Sequence, residues 1–250
     1  MNRFFIDNAK IVDSHTEIIG HDAGHILRVL RLGIGDSIEL CDGAGMDYPT
    51  TIVETDKDRL RVKLGEGRPS KGEPSIRVTL YQGIPKSTKM DLIVQKCVEL
   101  GIYRIVPLDT ARTITKLSDP KKAKKRVARW QKISEEAAKQ SRRGIIPKVD
   151  VPISYSSMAE SASHSAKIIL WEGERDVALR QCLERAKHSS GSKADIGIVI
   201  GPEGGLDHDE VVLAKEHGWE TASLGSRILR TETAGMAALA ATMFYMEEME

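Results

Sequence analysis

The stretch IGPEGGLDHDE, Ile200 to Glu210, and the stretch LGSRILRTETAG, Leu224 to Gly235, decide how this chain reads. Each follows an apolar, strand-like run and leads into a helix-like one. Each therefore reads as a loop at the carboxyl end of a parallel strand, where open α/β sheets place ligands. Their charges differ. The first surrounds Gly201, Gly204 and Gly205 with Glu203, Asp207, Asp209 and Glu210, whereas the second carries Arg227 and Arg230 ahead of Glu232. A phosphate cradle relies on backbone N–H groups with no competing anions, so four carboxylates point the first loop to a neutral or cationic ligand.

Working outward, strand and helix patterns alternate from residue 76 onward: IRVTLYQGI, KSTKMDLIVQKCVEL, YRIVPL, a long helix through SDPKKAKKRVARWQKISEEAAKQ, then KIILWE and IGIVIG. This alternation predicts a parallel sheet with helices on both faces. Thr88 with Asp91 forms a capping-box pattern that Gly101 closes, Ser118 is the candidate N-cap ahead of Pro120, and Asp207 with Glu210 caps the helix that ends before Gly218. The first 64 residues differ. RFFI, DSIELCDGAG, TTIVETD and RLRVKLG are short β-rich runs around one helical pattern, HDAGHILRVLRL, and predict a small β-barrel or sandwich. GEGRPSKGEPS, Gly65 to Ser75, has linker composition, which sets the expected domains at 1–72 and 73–250.

At 250 residues the chain can bury a sizeable core in one or two domains. No apolar run approaches the roughly 20 residues of a membrane span, and the start MNRFFIDNAK lacks an apolar signal region, so a cytoplasmic protein is expected. Cys41, Cys97 and Cys182 are odd in number and widely spaced, which suggests neither disulfides nor a thiolate metal site. Net charge is only +1, yet Arg112 to Arg143 holds twelve Lys or Arg against three acids. Positive charge is concentrated in one segment, as a polyanion-binding face requires. Within it Ala123, Val127, Trp130, Ile133 and Ala137 form one apolar stripe, which leaves Lys121, Lys122, Lys124 and Lys125 off it. Arg142 and Arg143 follow in the SRRGIIP turn, and Arg28 and Arg31, three apart on one helical flank, extend the basic surface with Arg3 and Lys10.

Other signals read as structural. His21 and His25 share a helical face but lack a third ligand, so no metal is expected. DGAG, Asp42 to Gly45, precedes a strand and not a helix, and is a hairpin turn. Neither a G-x-G-x-x-G nor a Walker A motif occurs, which argues against nucleotide-dependent oxidoreductases and ATPases. Aromatic residues make up 4% of the chain, leaving Trp171 and Tyr103 as candidates to stack on a base.

GPEGG followed by LGSRILRTETAG resembles the signature of the SPOUT methyltransferases, in the form of the RsmE family of small-subunit (16S) ribosomal RNA uridine N3-methyltransferases. QKCVELG from Gln95, RWQKISEEAAKQSRR from Arg129 with Ile146-Pro147 after it, and HILRVLRLGIGD from His25 resemble that family in the same order, so nearly the whole chain is covered. The resemblance implies a C-terminal domain with a deep trefoil knot, a PUA-like N-terminal RNA-binding domain, a homodimer and bound S-adenosylmethionine. It implies that Leu170, Ile200, Gly201, Gly205, Leu224, Ser226, Ile228 and Leu229 surround that cofactor, and that Gly235 and the small residues after it pack tightly, across a dimer interface.

Within that reading Arg230 stabilises the uracil anion, and Glu232 or Glu203 acts as base or orients Arg230. The target atom lies on the pairing edge, so the uridine must be unpaired or flipped out. Two rivals remain open: a SPOUT enzyme for a ribose 2′-hydroxyl or a tRNA base, and a non-catalytic RNA-binding assembly factor.

Overall fold

A computed structural model describes residues 3–6, 11, 13–115, 119–190 and 193–249 of the chain. Ser118, Lys116 and Lys10 lie outside the described residues. The chain divides into two units, Met1–Glu73 with Ala138–Ile146, and Pro74–Ala137 with Pro147–Glu250.

The first unit is built on a sheet of β1 (Arg3–Phe5), β2 (His15–Ile19), β3 (Ser37–Cys41), β4 (Met46–Asp56), β5 (Arg59–Leu64) and β6 (Arg68–Pro69). Its order is β1-β3-β4-β5-β2, with β6 on β4, and only the β1–β3 pairing is parallel. In β5 every second residue, Leu60, Val62 and Leu64, is buried, the period that one solvated face produces. With Phe4, Ile18, Ile26, Ile38, Leu40 and Ile52 they form the core. DGAG is the turn of the β3–β4 hairpin: Gly43 and Gly45 take positive φ, and the Asp42 carboxylate accepts the N–H groups of Ala44 and Met46.

The structure corrects several expectations here. The helical segment is short: α1 (His21–Gly24) runs into one π turn, His25–Val29, and Arg31 lies beyond it at φ 56°, so Arg28 and Arg31 do not share a helical flank. The Gly65–Ser75 segment is not all linker, because Arg68–Pro69 pairs with Met46 and Asp47. The Arg3 side chain is only 8% exposed and is ion-paired to Asp47. Arg143, expected on the RNA face, is 3% exposed and holds Glu73 through a two-pronged pair, so no phosphate can reach it. The same Glu73 carboxylate accepts the N–H groups of Gly144 and Ile145 and fixes the SRRGII turn within this unit.

The second unit is a parallel sheet in the order β10-β8-β7-β12-β11-β13, with β9 on β8. Its strands are β7 (Arg77–Gly83), β8 (Arg104–Asp109), β9 (Lys148–Val149), β10 (Ile153–Ser154), β11 (Ala166–Leu170), β12 (Asp195–Ile200) and β13 (Glu220–Ala222). The central strands β7 and β12 are buried nearly throughout, as expected when both faces are covered. Helices α4 (Tyr155–Ser161) and α6 (His208–Glu216) pack on one face over Tyr81, Val106, Ile169, Val199 and Trp219. On the other lie α2 (Lys89–Glu99), α5 (Leu179–Ser190) and α7 (Thr231–Tyr245).

The capping box of α6 forms as read, and Gly218 at φ 80° follows its end. That of α2 does not: the Thr88 side chain makes no cap bond, and Asp91 pairs instead with Arg129. In α3 (Pro120–Gln140) Trp130 and Ala137 are buried with Ser134, whose hydroxyl donates to the Pro147 carbonyl, while Lys121, Lys122, Lys124 and Lys125 are exposed. All three cysteines are free and buried. Among the described residues no helix is long and apolar enough to cross a membrane, and no group of three or more His, Cys, Asp or Glu is placed to hold a metal.

Candidate functional site

At the carboxyl ends of β11, β12 and β13, three loops enclose a cleft of about 1000 Å³, with Lys89 from the first turn of α2 on its wall. The loop after β12 is self-supporting. Gly205, at φ 71°, donates its N–H to the Pro202 carbonyl at 2.9 Å. A Cβ on Gly201 would stand 3.0 Å from the Gly205 carbonyl carbon, and one on Gly83 only 2.5 Å from the Pro202 nitrogen, so glycine is required where these backbone segments approach so closely. Arg112, which the sequence places in the basic run, donates to the Gly204 carbonyl at 3.0 Å and pairs with Asp207 at 3.1 Å. The acids of this loop serve its own backbone: Asp207 accepts from the Asp209 N–H, and Glu210 accepts from the Asp207 and Ala111 N–H groups. Glu203 alone of the four lines the cleft. Of the four carboxylates expected around a neutral or cationic ligand, only Glu203 therefore faces the cleft.

The loop after β13 is the opposite. Gly225 lies at φ 103°, and Ser223 Oγ caps its N–H at 3.1 Å. From Ser226 to Leu229 no hydrogen bond to any described residue is made, which leaves those peptide groups available to a ligand. At its far end Thr231 Oγ1 donates to the Gly201 carbonyl at 2.6 Å and accepts from Gln82 Nε2 at 2.8 Å, which ties the two loops together. Gln82 is fully buried on β7.

All eight residues singled out for a cofactor meet in this cleft: Leu170, Ile200, Gly201 and Gly205 on one side, Leu224, Ser226, Ile228 and Leu229 on the other. Arg230 and Glu203 also line it. Glu232, in the first turn of α7, joins them through Lys89, whose Nζ lies 3.1 Å from Glu203 and 3.2 Å from Glu232. Burial alone would raise the Glu203 carboxyl, but its own backbone N–H, Lys89 and the Lys86 N–H outweigh that and hold it below its ordinary value. The Glu232 carboxyl is held low by its own N–H first, against burial, with help from Lys89 and Arg230. The two carboxylates raise the Lys89 ammonium in turn. Both glutamates are thus ionised at neutral pH. Lys89 went unrecognised in the sequence, where its signal was only its place just past the carboxyl end of β7.

Other candidates scatter. Trp171 lines the cleft, but Tyr103 precedes β8 at the opposite, amino end of the sheet, where the Arg77 guanidinium covers its ring at 4.9 Å. Tyr103 is thereby excluded as a stacking partner in this cleft. Gly235 packs against β7 of its own chain, since a Cβ there would touch Gln82 and Leu80 at 3.3 and 3.4 Å.

The chain matches the RNA methyltransferase domain family over residues 72–243 and the RNA methyltransferase PUA domain family over residues 18–65. It is 35% identical to ribosomal RNA small subunit methyltransferase E of Bacillus subtilis over 99% of this chain and 98% of that protein. The chain belongs to this methyltransferase family. The protein of the same name from Synechocystis is 31% identical over 95% of this chain and 76% of its own length. Among solved structures, ribosomal RNA small subunit methyltransferase E of Neisseria gonorrhoeae bound to S-adenosyl methionine superposes with a TM-score of 0.78 at 30% identity, covering 98% of this chain and 97% of that one. A putative methyltransferase of Legionella pneumophila, in complex with bound SAM, gives 0.80 at 28% identity over 97% and 96%.

Proposed function

We propose that this chain is an S-adenosylmethionine-dependent methyltransferase acting on N3 of a uridine in small-subunit ribosomal RNA. The observation that carries the reading is the cleft itself: in a chain of this family, a rigid glycine-rich wall faces a loop whose peptide groups are unpaired. The cofactor fits the residues present. Glycine backbone closes one wall, and the unpaired N–H and C=O groups of Ser226 to Leu229 offer donors and acceptors to an adenine edge, beside the side chains of Leu170, Leu224, Ile228 and Leu229.

When bound, S-adenosylmethionine supplies an activated methyl group. The chain's residues have the remaining tasks of aligning the uracil and stabilising the charge left when N3 gives up its proton. Arg230, unpaired at the start of α7, holds the negative charge spread over N3, O2 and O4. Glu203 and Glu232 are weak bases because both carboxyls are held below their ordinary values, far from neutrality. Glu232 lies within electrostatic reach of Arg230, and Lys89 fixes both glutamates in place. The N3 proton leaves to water. Trp171 is the remaining aromatic candidate to stack on the flipped base.

The exposed Lys121, Lys122, Lys124 and Lys125, with Arg28, Arg31 and Arg142, supply phosphate contacts. Replacing the four lysines with Ala is expected to flatten the salt slope of RNA binding by up to about 0.9 for each phosphate no longer neutralised. The family resemblance extends the proposal to a knot formed by the chain through the cleft loops, to a barrel-like N-terminal domain over 1–72, to a methyltransferase domain over 73–250 and to a cytoplasmic location. A homodimer is supported by the apolar outer side of α7, where Met236, Ala237, Ala240 and Ala241 lead to Phe244, 76% exposed. The reading is tested by mapping modified nucleosides in small-subunit ribosomal RNA from cells lacking this protein. Loss of one N3-methyluridine is expected. Loss of a ribose methyl group, a change confined to tRNA, or no change would overturn it.

A further inference from the structure

Ten of the eighteen arginines form an ion pair with a carboxylate. Three of the others gather at one place, the cleft's rim. Arg175, Arg227 and Arg230 line it, all three are exposed, and none makes an ion pair or side-chain hydrogen bond with a described residue. Arg175 is free on a loop that is otherwise held firmly. Glu174 accepts the N–H groups of Arg175, Asp176 and Val177 at 3.0, 2.9 and 3.2 Å and the Thr221 hydroxyl at 2.6 Å. The Thr221 hydroxyl, with these N–H groups, pulls the Glu174 carboxyl down to about 2, so the clasp is charged at any physiological pH. The Arg227 loop is joined to it at the base, where Ser223 N–H donates to the Val177 carbonyl at 2.8 Å and Leu179 N–H to the Ser223 carbonyl at 3.0 Å. Two loops zipped together at their roots thus present two uncommitted guanidinium forks at the mouth of one cleft.

We infer that Arg175 and Arg227 form a phosphate clamp at the cleft mouth, gripping the RNA backbone beside the nucleotide that enters. The inference rests on the methyltransferase reading above and assigns that site a way to hold its substrate strand. A guanidinium fork suits a phosphate's array of acceptors, and a pre-ordered loop loses little freedom on binding. The clamp also accounts for a division of labour among the three arginines. Arg230 opens α7 within electrostatic reach of Glu232 and is assigned to the base, whereas Arg175 and Arg227, on the two joined loops, are assigned to the strand. The rim also carries exposed acids, Glu172 and Asp176 on the Arg175 loop among them, which oppose a polyanion. They give the inference a test of sign.

The test uses the full-length protein, with unmethylated small-subunit ribosomal RNA from cells lacking this protein as probe, and measures affinity across a KCl series. Arg175→Gln and Arg227→Gln should each weaken binding about tenfold at low salt and reduce the slope of log K against log salt by about 0.7 to 0.9. Asp176→Asn should do the reverse and tighten binding at low salt. S-adenosylmethionine affinity, measured by calorimetry, should stay the same in all three variants, which also reports that each is folded. Unchanged slopes would overturn the clamp. So would a loss of cofactor affinity in the arginine variants, since the arginines would then hold the cofactor's own carboxylate. Methyl transfer by the unaltered protein is measured in parallel. If it fails while the slopes shift as expected, the clamp stands and the catalytic reading falls.

Discussion

Two of the three loops that enclose the cleft, those after β12 and β13, each turn on a positive-φ glycine and share little else. In the loop from Gly201 to Asp207, carboxylates and arginine are consumed internally: Asp207 and Glu210 cap α6, Arg112 braces Gly204, and Lys89 holds Glu203. In the loop from Leu224 to Arg230 the charged groups and four successive peptide units are uncommitted. One is a wall and the other a receptor. The difference shows that charge counted along a sequence does not report charge offered to a ligand, because a carboxylate beside N–H groups satisfies the loop's own backbone first.

The contrast breaks most severely if the wall can be altered without effect. Gly205→Val places a β-branched residue at φ 71° and drives its Cβ to 2.2 Å from Glu172 Oε1. Cofactor binding, read by calorimetry with a chelator present, should be lost. A normal isotherm would mean that the wall is not the cofactor's boundary.

On the receptor side, Arg230→Ala should lower single-turnover methyl transfer at saturating RNA by about 10²-fold, in the range of lost oxyanion donors, with cofactor affinity little changed. Lys at that position should recover only part of the rate, because a point charge does not reproduce the planar fork. A near-normal rate with much weaker RNA affinity would move Arg230 into the phosphate clamp.

Lys89 joins the two loops, and its effect should be smaller and pH-dependent. In Lys89→Met, Glu203 and Glu232 lose the ammonium that both share, and like charges then raise the carboxyl values that are depressed in the native protein. Ionisation is therefore lost at a higher pH than in the native protein, although the backbone N–H groups still hold both carboxyls down. On acidification transfer by the variant should fall off at a higher pH than transfer by the unaltered enzyme, and at pH 8 the two should differ least. A pH-independent defect would make Lys89 a purely structural tie.

How much of this was legible follows the same division. The parallel sheet could be read because VTLYQG and IGIVI are apolar runs of strand length set between helical patterns, whereas the eight cleft residues came only through the family resemblance that GPEGG and LGSRILRTETAG carry. Partners distant in sequence could not be read. Arg143 looked like one more cation in a basic run, yet it meets Glu73, seventy positions away, and is buried by it. Arg112 looked the same and braces a loop ninety-two positions on. Thr88 and Asp91 had the spacing of a capping box, but Arg129 competes for the aspartate. Local spacing reports what a side chain can reach within its own turn, and long side chains are claimed by whichever partner the fold delivers.

The smallest effect probes whether the wall's order matters only for stability. Asp207 accepts the Asp209 N–H at 3.2 Å and closes the capping box with Glu210, while its second oxygen meets Arg112 at 3.1 Å. Asp207→Ala removes both, and for a chain of this length a lost cap of this kind lowers the melting temperature by about 2–4 °C. Asp207→Asn keeps a capping oxygen and loses the charge, so it should fall by less. The acid dependence has a fixed sign. The Asp209 N–H first, and then Arg112, hold the Asp207 carboxyl below its ordinary value of 3.8, so its stabilising effect is present above that value and disappears as pH falls through the lowered one. The difference between the native protein and Asp207→Ala in thermal melts should therefore be constant near neutrality and shrink in strong acid. Cofactor affinity should change less than about twofold, because Asp207 itself does not line the cleft. A large loss of affinity with an unchanged melting temperature would reverse the comparison. The acids of the first loop would then be ligand contacts after all, and the two loops would be receptors alike.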